Sequence, residues 1–412
     1  MPATTKNKAP PQALFVISLG FVALALAYSS RASVGLMMPI WERDLGWSRS
    51  FVSGGVALAL IVMAVLAPVA GRLVDLQGSR NALTLGLAIL SLGSGLMSGA
   101  DSGTAFLLAC GGLSAIGFGL IATHVVSTAV EQQLDRNQGL GISIATSGAT
   151  AGQFLIVPLI AVMLTSLSWR WSYAALAVAC AGLAVAIHWI LPSGTRSVDT
   201  PATAAAPTLS LSADIKLILK NSTFHLLFWS YFICGYTTSG VIETHFLPYA
   251  ALCGFAPVPS ATAYGLLSAV NLAGMILVGW LTDRVNRPLL LGSIYVVRGL
   301  TFILLVNVGA DYDTLLLFAI GFGLVDYATV PVTSSLVASH IGLRVMGLAF
   351  GLISAGHQIG GAIGAYLAGY LFDIYAQYTW VWWSSFWLAV LAGILAFVIR
   401  DRRPAQAALI GS

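Results

Sequence analysis

The sequence predicts an all-α polytopic membrane protein, with twelve transmembrane helices in two pseudo-symmetric six-helix bundles. Three observations carry that reading: scarce charge, twelve long apolar runs, and a repeat relating the second half of the chain to the first. Of 412 residues, 58% are apolar and 8% are Asp, Glu, Lys or Arg. A soluble domain needs about 25% charge to keep its surface solvated. A water-soluble enzyme and a nucleic-acid binder are therefore excluded. The net charge of +4 comes from short loops and marks no basic patch. Forty-three glycines suit helices packed closely in lipid. Cys110, Cys180, Cys234 and Cys253 have neither CxxC nor metal-ligand spacing and read as small apolar residues. No cofactor and no metal are expected.

Crossing the hydrocarbon takes about 20 apolar residues as a helix. Twelve runs qualify, numbered here as spans 1 to 12: 12–40, 50–75, 81–100, 104–130, 139–164, 171–192, 223–250, 261–282, 288–309, 313–338, 346–373 and 379–400. Barrel strands would instead alternate over about ten residues. Span 1 is too long for a signal-peptide core and no small-residue cleavage site follows it, so it is expected to stay attached. The stretch 193–222 is rich in Pro, Thr, Ser and Ala. It reads as a flexible cytoplasmic linker between a bundle at 1–192 and a second at 223–412 with its short tail. If both termini are cytoplasmic, that side receives fourteen of the 19 Lys and Arg, and the other side only Arg43, Arg49 and Arg170. That bias orients the chain with both ends cytoplasmic, and the cell (inner) membrane is the expected location.

The repeat has an offset of 208 residues. Gly71, Leu73 and Asp75 map onto Gly279, Leu281 and Asp283, and Arg136, Gly148 and Gly152 onto Arg344, Gly356 and Gly360. The string GFGL at 117–120 returns at 321–324, with an offset of 204. Repeats of this kind are the construction of alternating-access transporters. Gly148 and Gly152, and Gly356, Gly360 and Gly364, recur every four residues on one helix face, which lets helix backbones approach closely. Static packing and a smooth surface for one half rocking on the other both fit that spacing.

GRLVDLQGSR (71–80) resembles the signature loop between helices 2 and 3 of the major facilitator superfamily, and GWLTDRVNRP (279–288) looks like its degenerate second copy. The resemblance implies the major facilitator fold. It also implies a cytoplasmic gate built on Gly71, Asp75, Arg80, Arg136, Gly279 and Asp283, with Asp75 capping the start of helix 11. A carboxylate is favoured at a helix N-terminus. For Arg80 and Arg136, a plain topology-setting charge fits as well. YSSRASVGLMMPI, DLGWSRS, RNQGLGISIATSGATAG, ETHFLPYA and YVVRGLTFILL are similar to the monocarboxylate and oxalate–formate branch. Span 8 has Asn271 in place of the Asp and Arg of the animal monocarboxylate carriers, and span 11 lacks the Lys of an oxalate–formate antiporter. The resemblance thus implies a carboxylate substrate without naming it. The rival drug–proton antiporter branch carries a Gly-Pro-rich signature in helix 5, which this chain lacks.

A charge at the bilayer centre costs about 3 kcal/mol by insertion scales, so it faces a cavity or a partner. Arg31 in span 1 is read as the carboxylate anchor, with Tyr28 on the same helix face. An arginine snorkelling towards Pro39 and Trp41 is the alternative. His357 in span 11, Asn271 in span 8 and Gln153 in span 5 are the uncharged or titratable hydrogen-bonders of the pocket. Arg298 and Asp326, at matching depth in spans 9 and 10, are expected to form a structural or relay pair, with a substrate contact by Arg298 the alternative. Glu243 in span 7 is read either as a proton site or as an interfacial acid in water. His245 reads as a gate or a satisfied hydrogen-bonding group, and Pro248 should end or kink span 7. The expected function is secondary active transport of a small organic anion, a monocarboxylate, with proton coupling by a monomer in lipid. A proton-driven exporter of drugs or hydrophobic solutes is the alternative.

Overall fold

The computed structural model describes residues 11–131, 138–191, 211–342 and 345–401; for 11–13, 67–78, 124, 128, 131, 138–140, 211, 346 and 347 only the main chain is described. All regular structure among these residues is helical. Among the described residues, eleven helical stretches are long and apolar enough to cross a membrane. The remaining predicted crossing, span 7, is helical throughout but comes in three pieces: Ser222–Gly235, a π-helical stretch Tyr236–Ile242, and Glu243–Leu252. Pro248 lies inside the last piece and does not end it. The irregularity sits upstream instead, where Thr244 Oγ1 donates to the Ser239 carbonyl five residues back, at 3.1 Å.

Contacts divide the chain into two compact units, 1–33 with 65–199, and 34–64 with 200–412. The sequence boundary at 199/200 falls in the Pro- and Ala-rich linker, and 34–64 is grouped with the second unit.

In the first unit, span 5 lies against span 1. A β-carbon at Gly148 would collide with the Phe21 carbonyl, and one at Gly152 with the Ala25 backbone. The main chain is helical from Arg49 to Ser98, across the loop expected between spans 2 and 3. That helix is not straight. Leu66 packs at Gly119, and Gly86 at Gly117 and Ile121 of the same span 4, whereas 20 residues of straight helix would part them by about 30 Å. The chain therefore doubles back between Leu66 and Gly86, as two crossings.

The second unit repeats the arrangement. A β-carbon at Gly360 would meet the Phe232 carbonyl, and one at Gly364 the Tyr236 carbonyl, so span 11 lies on span 7 as span 5 lies on span 1. The glycine rows thus serve helix packing inside each unit, one of the two readings their spacing allowed. Spans 8 and 10 meet as closely, with Gly274 on the Leu324 backbone and Gly323 on the Leu267 backbone. Span 10 is broken near its middle, into Tyr312–Val325 and Thr329–His340.

Candidate functional site

Two polar patches lie inside the apolar helices, one in each unit. The first is built on span 1, an unbroken helix Pro11–Leu45. Arg31 is fourteen residues from its end, about 21 Å along the axis. Trp41, offered as the interfacial neighbour of a snorkelling Arg31, is fully buried. The Arg31 guanidinium carbon lies 5.6 Å from the centroid of Phe118, and the Tyr28 ring 4.9 Å from the same ring. Tyr28 and Thr123 share a hydrogen bond between hydroxyls at 3.2 Å. Gln153 is buried on span 5, one residue past the glycine that meets Ala25. Phe118 thus joins Arg31 and Tyr28, as sequence spacing alone joins only the latter two.

The second patch surrounds the break in span 10. Breaking a helix frees carbonyls at one end and N–H groups at the other, and in lipid each needs a partner. Arg298, fully buried on span 9, supplies donors: its Nη2 donates to the Val325 carbonyl at 2.8 Å and to the Asp326 carbonyl. Its Nη1 donates to Cys234 Sγ at 2.8 Å and Thr237 Oγ1 at 3.5 Å. Arg298 and Asp326 are brought together, but through the main chain. A cation at the C-terminal end of a half-helix also meets the negative end of its dipole. The Asp326 carboxylate turns to span 7, where Thr238 Oγ1 donates to Oδ1 at 2.9 Å. On the other side of the break, the Tyr327 N–H donates to Asn271 Oδ1 at 3.1 Å. The Tyr327 hydroxyl donates to the Glu243 carboxylate.

Glu243 is 9% exposed, so it is a buried acid and not an interfacial one. Asn271 is buried too, and its amide oxygen caps the break where a pocket-lining role was expected; its Nδ2 has no hydrogen-bond partner among the described residues. His357 is half-buried on span 11, its ring 4.8 Å from Tyr231. His245 is fully buried and doubly held. Its Nε2 is 2.9 Å from the Ala365 carbonyl, which can only accept, so Nε2 carries a proton. Its Nδ1 is 3.0 Å from the Tyr378 hydroxyl. Burial pushes the Tyr378 phenol up to about 12, so that hydroxyl keeps its proton through the neutral range.

Of the gate motif, Arg136 lies outside the described residues, and Gly71 and Asp75 lie where only the main chain is described. Arg80 is half-buried, Asp283 is exposed at the end of helix Pro257–Thr282, and Gly279 faces open space. Sequence reasoning missed Phe118, Thr238 and Tyr327. The first had a signal, since it sits in the repeated GFGL string. The other two are ordinary span residues until the π stretch and the break aim them at acids.

The chain matches known proteins over most of its length. The family model of the Major Facilitator Superfamily matches residues 20–347. The MFS-type transporter YcxA of Bacillus subtilis is 24% identical over 374 residues, 89% of this chain and 90% of that protein. Monocarboxylate transporter 13 of Rattus norvegicus is 25% identical over 374 residues, covering 88% and 83%. Monocarboxylate transporter 11 of Homo sapiens is 26% identical over 404 residues, covering 93% and 82%. Among solved structures, a bacterial homolog of the human lysosomal transporter Spinster superposes with a TM-score of 0.74 at 13% identity, over 95% of this chain and 97% of its own. A D-xylose-proton symporter also superposes with a TM-score of 0.74, at 16% identity over 93% and 96%.

Proposed function

The chain belongs to the major facilitator superfamily, and from that premise we propose that it carries a small organic anion, a monocarboxylate, by alternating access coupled to protons. Arg31 is the observation that carries this reading. It is an always-protonated group deep in span 1, flanked by aromatic rings, and a guanidinium binds a carboxylate through two parallel hydrogen bonds. The relatives named monocarboxylate transporters support the substrate class. Tyr28, Gln153, His357 and the Asn271 Nδ2 donor complete the recognition of the substrate. Glu243 and Asp326, buried beside hydroxyl donors, are the groups proposed to take up the proton that offsets the anion's charge. The carrier works as a monomer in the cell (inner) membrane, with both termini cytoplasmic.

The test is uptake of labelled pyruvate into proteoliposomes under an imposed pH gradient. Uptake should follow the gradient and fall about 100-fold in kcat/KM for Arg31→Ala, the loss expected from roughly 3 kcal/mol of charge-assisted hydrogen bonding. Arg31→Ala that carries pyruvate as well as the parent would sink the anchor assignment. Inhibition by organic cations and not by carboxylic acids would point to the exporter instead.

A further inference from the structure

Away from both polar patches, the last part of the stretch that reads as a linker is a helix, Leu211–Leu219. Span 7 begins just after it, at Ser222, so the helix sits where the chain enters the membrane. Side chains on either side of that junction fix it there. Asn221 Oδ1 caps span 7, accepting from the Thr223 N–H at 2.9 Å, while its Nδ2 donates to the His340 carbonyl at 2.9 Å. His225 Nε2 donates to the Leu219 carbonyl at 2.7 Å, at the C-terminal end of the linker helix. Ile218 is fully buried in the apolar core of the second unit. The rest of the helix is open. Leu217 and Leu219 are each 49% exposed, and Lys216 and Lys220 are exposed. At about 3.6 residues per turn, the two leucines stand about 100° to either side of Ile218. The two lysines stand nearly opposite it, one turn apart. Neither lysine is in an ion pair among the described residues. Asp214 is half-buried and lies on the Ile218 side. A third cation, the exposed Arg400, is drawn to the same place, since its carbonyl is 2.8 Å from His340 Nε2. The acid beside it, Asp401, is already paired with Arg287 at 2.6 Å.

We infer that the helix Leu211–Leu219 lies in the headgroup layer of the cytoplasmic leaflet and docks anionic phospholipid there, with Lys216 and Lys220 at the phosphates. Its place at the start of a membrane crossing and its uncompensated positive charge both point to that occupant. Facing water alone, two half-exposed leucines beside a lysine pair would gain nothing. Against a leaflet, a leucine flank meets acyl chains while the lysine stems run along the headgroups. Each lysine near an anionic surface strengthens the contact about fivefold. Ile218 and the bonds at Asn221 and His225 hold the helix to the second unit, so the lipid contact anchors the linker end of that unit. The inference is independent of which solute the carrier moves.

The test uses the full chain in a bilayer and needs no substrate. Leu219→Cys in a Cys253→Ser background is labelled with a fluorescent maleimide, which the buried Cys110, Cys180 and Cys234 do not take. The protein is reconstituted in phosphatidylcholine carrying a small, equal fraction of spin-labelled phosphatidylglycerol or spin-labelled phosphatidylcholine. Phosphatidylglycerol should quench the label at least about fivefold more strongly, and added salt should shrink the difference. Lys216→Gln combined with Lys220→Gln should bring the two lipids level. Val178→Cys, a site 73% exposed on span 6, should be quenched alike by both. Absence of quenching at Leu219→Cys by either lipid places the helix in water and overturns the inference. Equal quenching by both lipids in the parent overturns the anionic docking, and so does the same preference at Val178→Cys. Quenching that falls as protein density rises would show a second copy covering the helix, and would overturn it too.

Discussion

Spans 4 and 10 break at equivalent points of the repeat, two residues past their GFGL strings, at Ala122 and at Asp326. Each GFGL phenylalanine lies near an intramembrane arginine: Phe118 is 5.6 Å from Arg31, and Phe322 is 5.5 Å from Arg298. The surroundings then differ. The break in span 4 is flanked by Ala122 and by Thr123, whose hydroxyl shares a hydrogen bond with that of Tyr28. The break in span 10 is tied by Arg298 to its carbonyls, by Asn271 to its amide, and by Thr238 and Glu243 to its side chains. One duplicated framework thus holds two arginines in different settings. Arg298, itself on the unbroken helix Arg287–Val306, gives donors to the main chain of the broken span 10, whereas Arg31 lies on span 1 beside Phe118. On the function proposed above, Arg298 holds a structure together and Arg31 holds a substrate.

The largest expected effect tests that distinction. Arg298→Leu should cost about 4 kcal/mol, since it leaves carbonyls freed in a low-dielectric interior without donors. The readout is a lowered unfolding temperature and loss of monodisperse protein. Arg31→Leu should leave the unfolding temperature near that of the parent while transport is lost. Equal destabilisation by both variants would break the comparison. Next in size are Gly152→Leu and Gly360→Leu. Each drives a side chain into the backbone of the partner helix and should cost about 3 kcal/mol. The two should be alike, because the repeat puts the same helix pair in each unit. Tolerance of one alone, read from the yield of folded protein, would show that the second unit's polar ties and not the glycine contact set its geometry.

The fold was legible because its signals are long-range averages. Charge scarcity, run length and the 208-residue offset survive local irregularity. Arg31, Arg298, Glu243 and Asp326 were also legible, because an ionisable residue in an apolar run stands out one at a time. What escaped was how they meet. The expected Arg298–Asp326 pair becomes a bond to a carbonyl, since the helix breaks at that residue, and GFGLVDYATV carries no proline to announce a break. Pro248 raised the opposite expectation and was absorbed within a helix, the register having changed upstream in a π stretch of Thr, Ser and Gly. Tyr327 reaches Glu243 only through both irregularities, so no spacing rule connects residues 84 apart.

The smallest expected effect asks whether the two breaks differ in cost as they do in wiring. Asn271→Ala removes the acceptor of the Tyr327 N–H and leaves that amide buried without a partner, a loss of about 2 kcal/mol. Thr123→Val removes a hydroxyl bond at a part-buried position and keeps the shape, so its cost should be about 0.5 kcal/mol. Thermal unfolding of both variants beside the parent reads the difference. If Thr123→Val costs as much as Asn271→Ala, the break in span 4 depends on its hydroxyl pair, and the asymmetry between the units is one of residue type and not of energy. If the ordering holds, the polar wiring of the second unit stabilises its break more than the hydroxyl pair of the first unit stabilises the break in span 4.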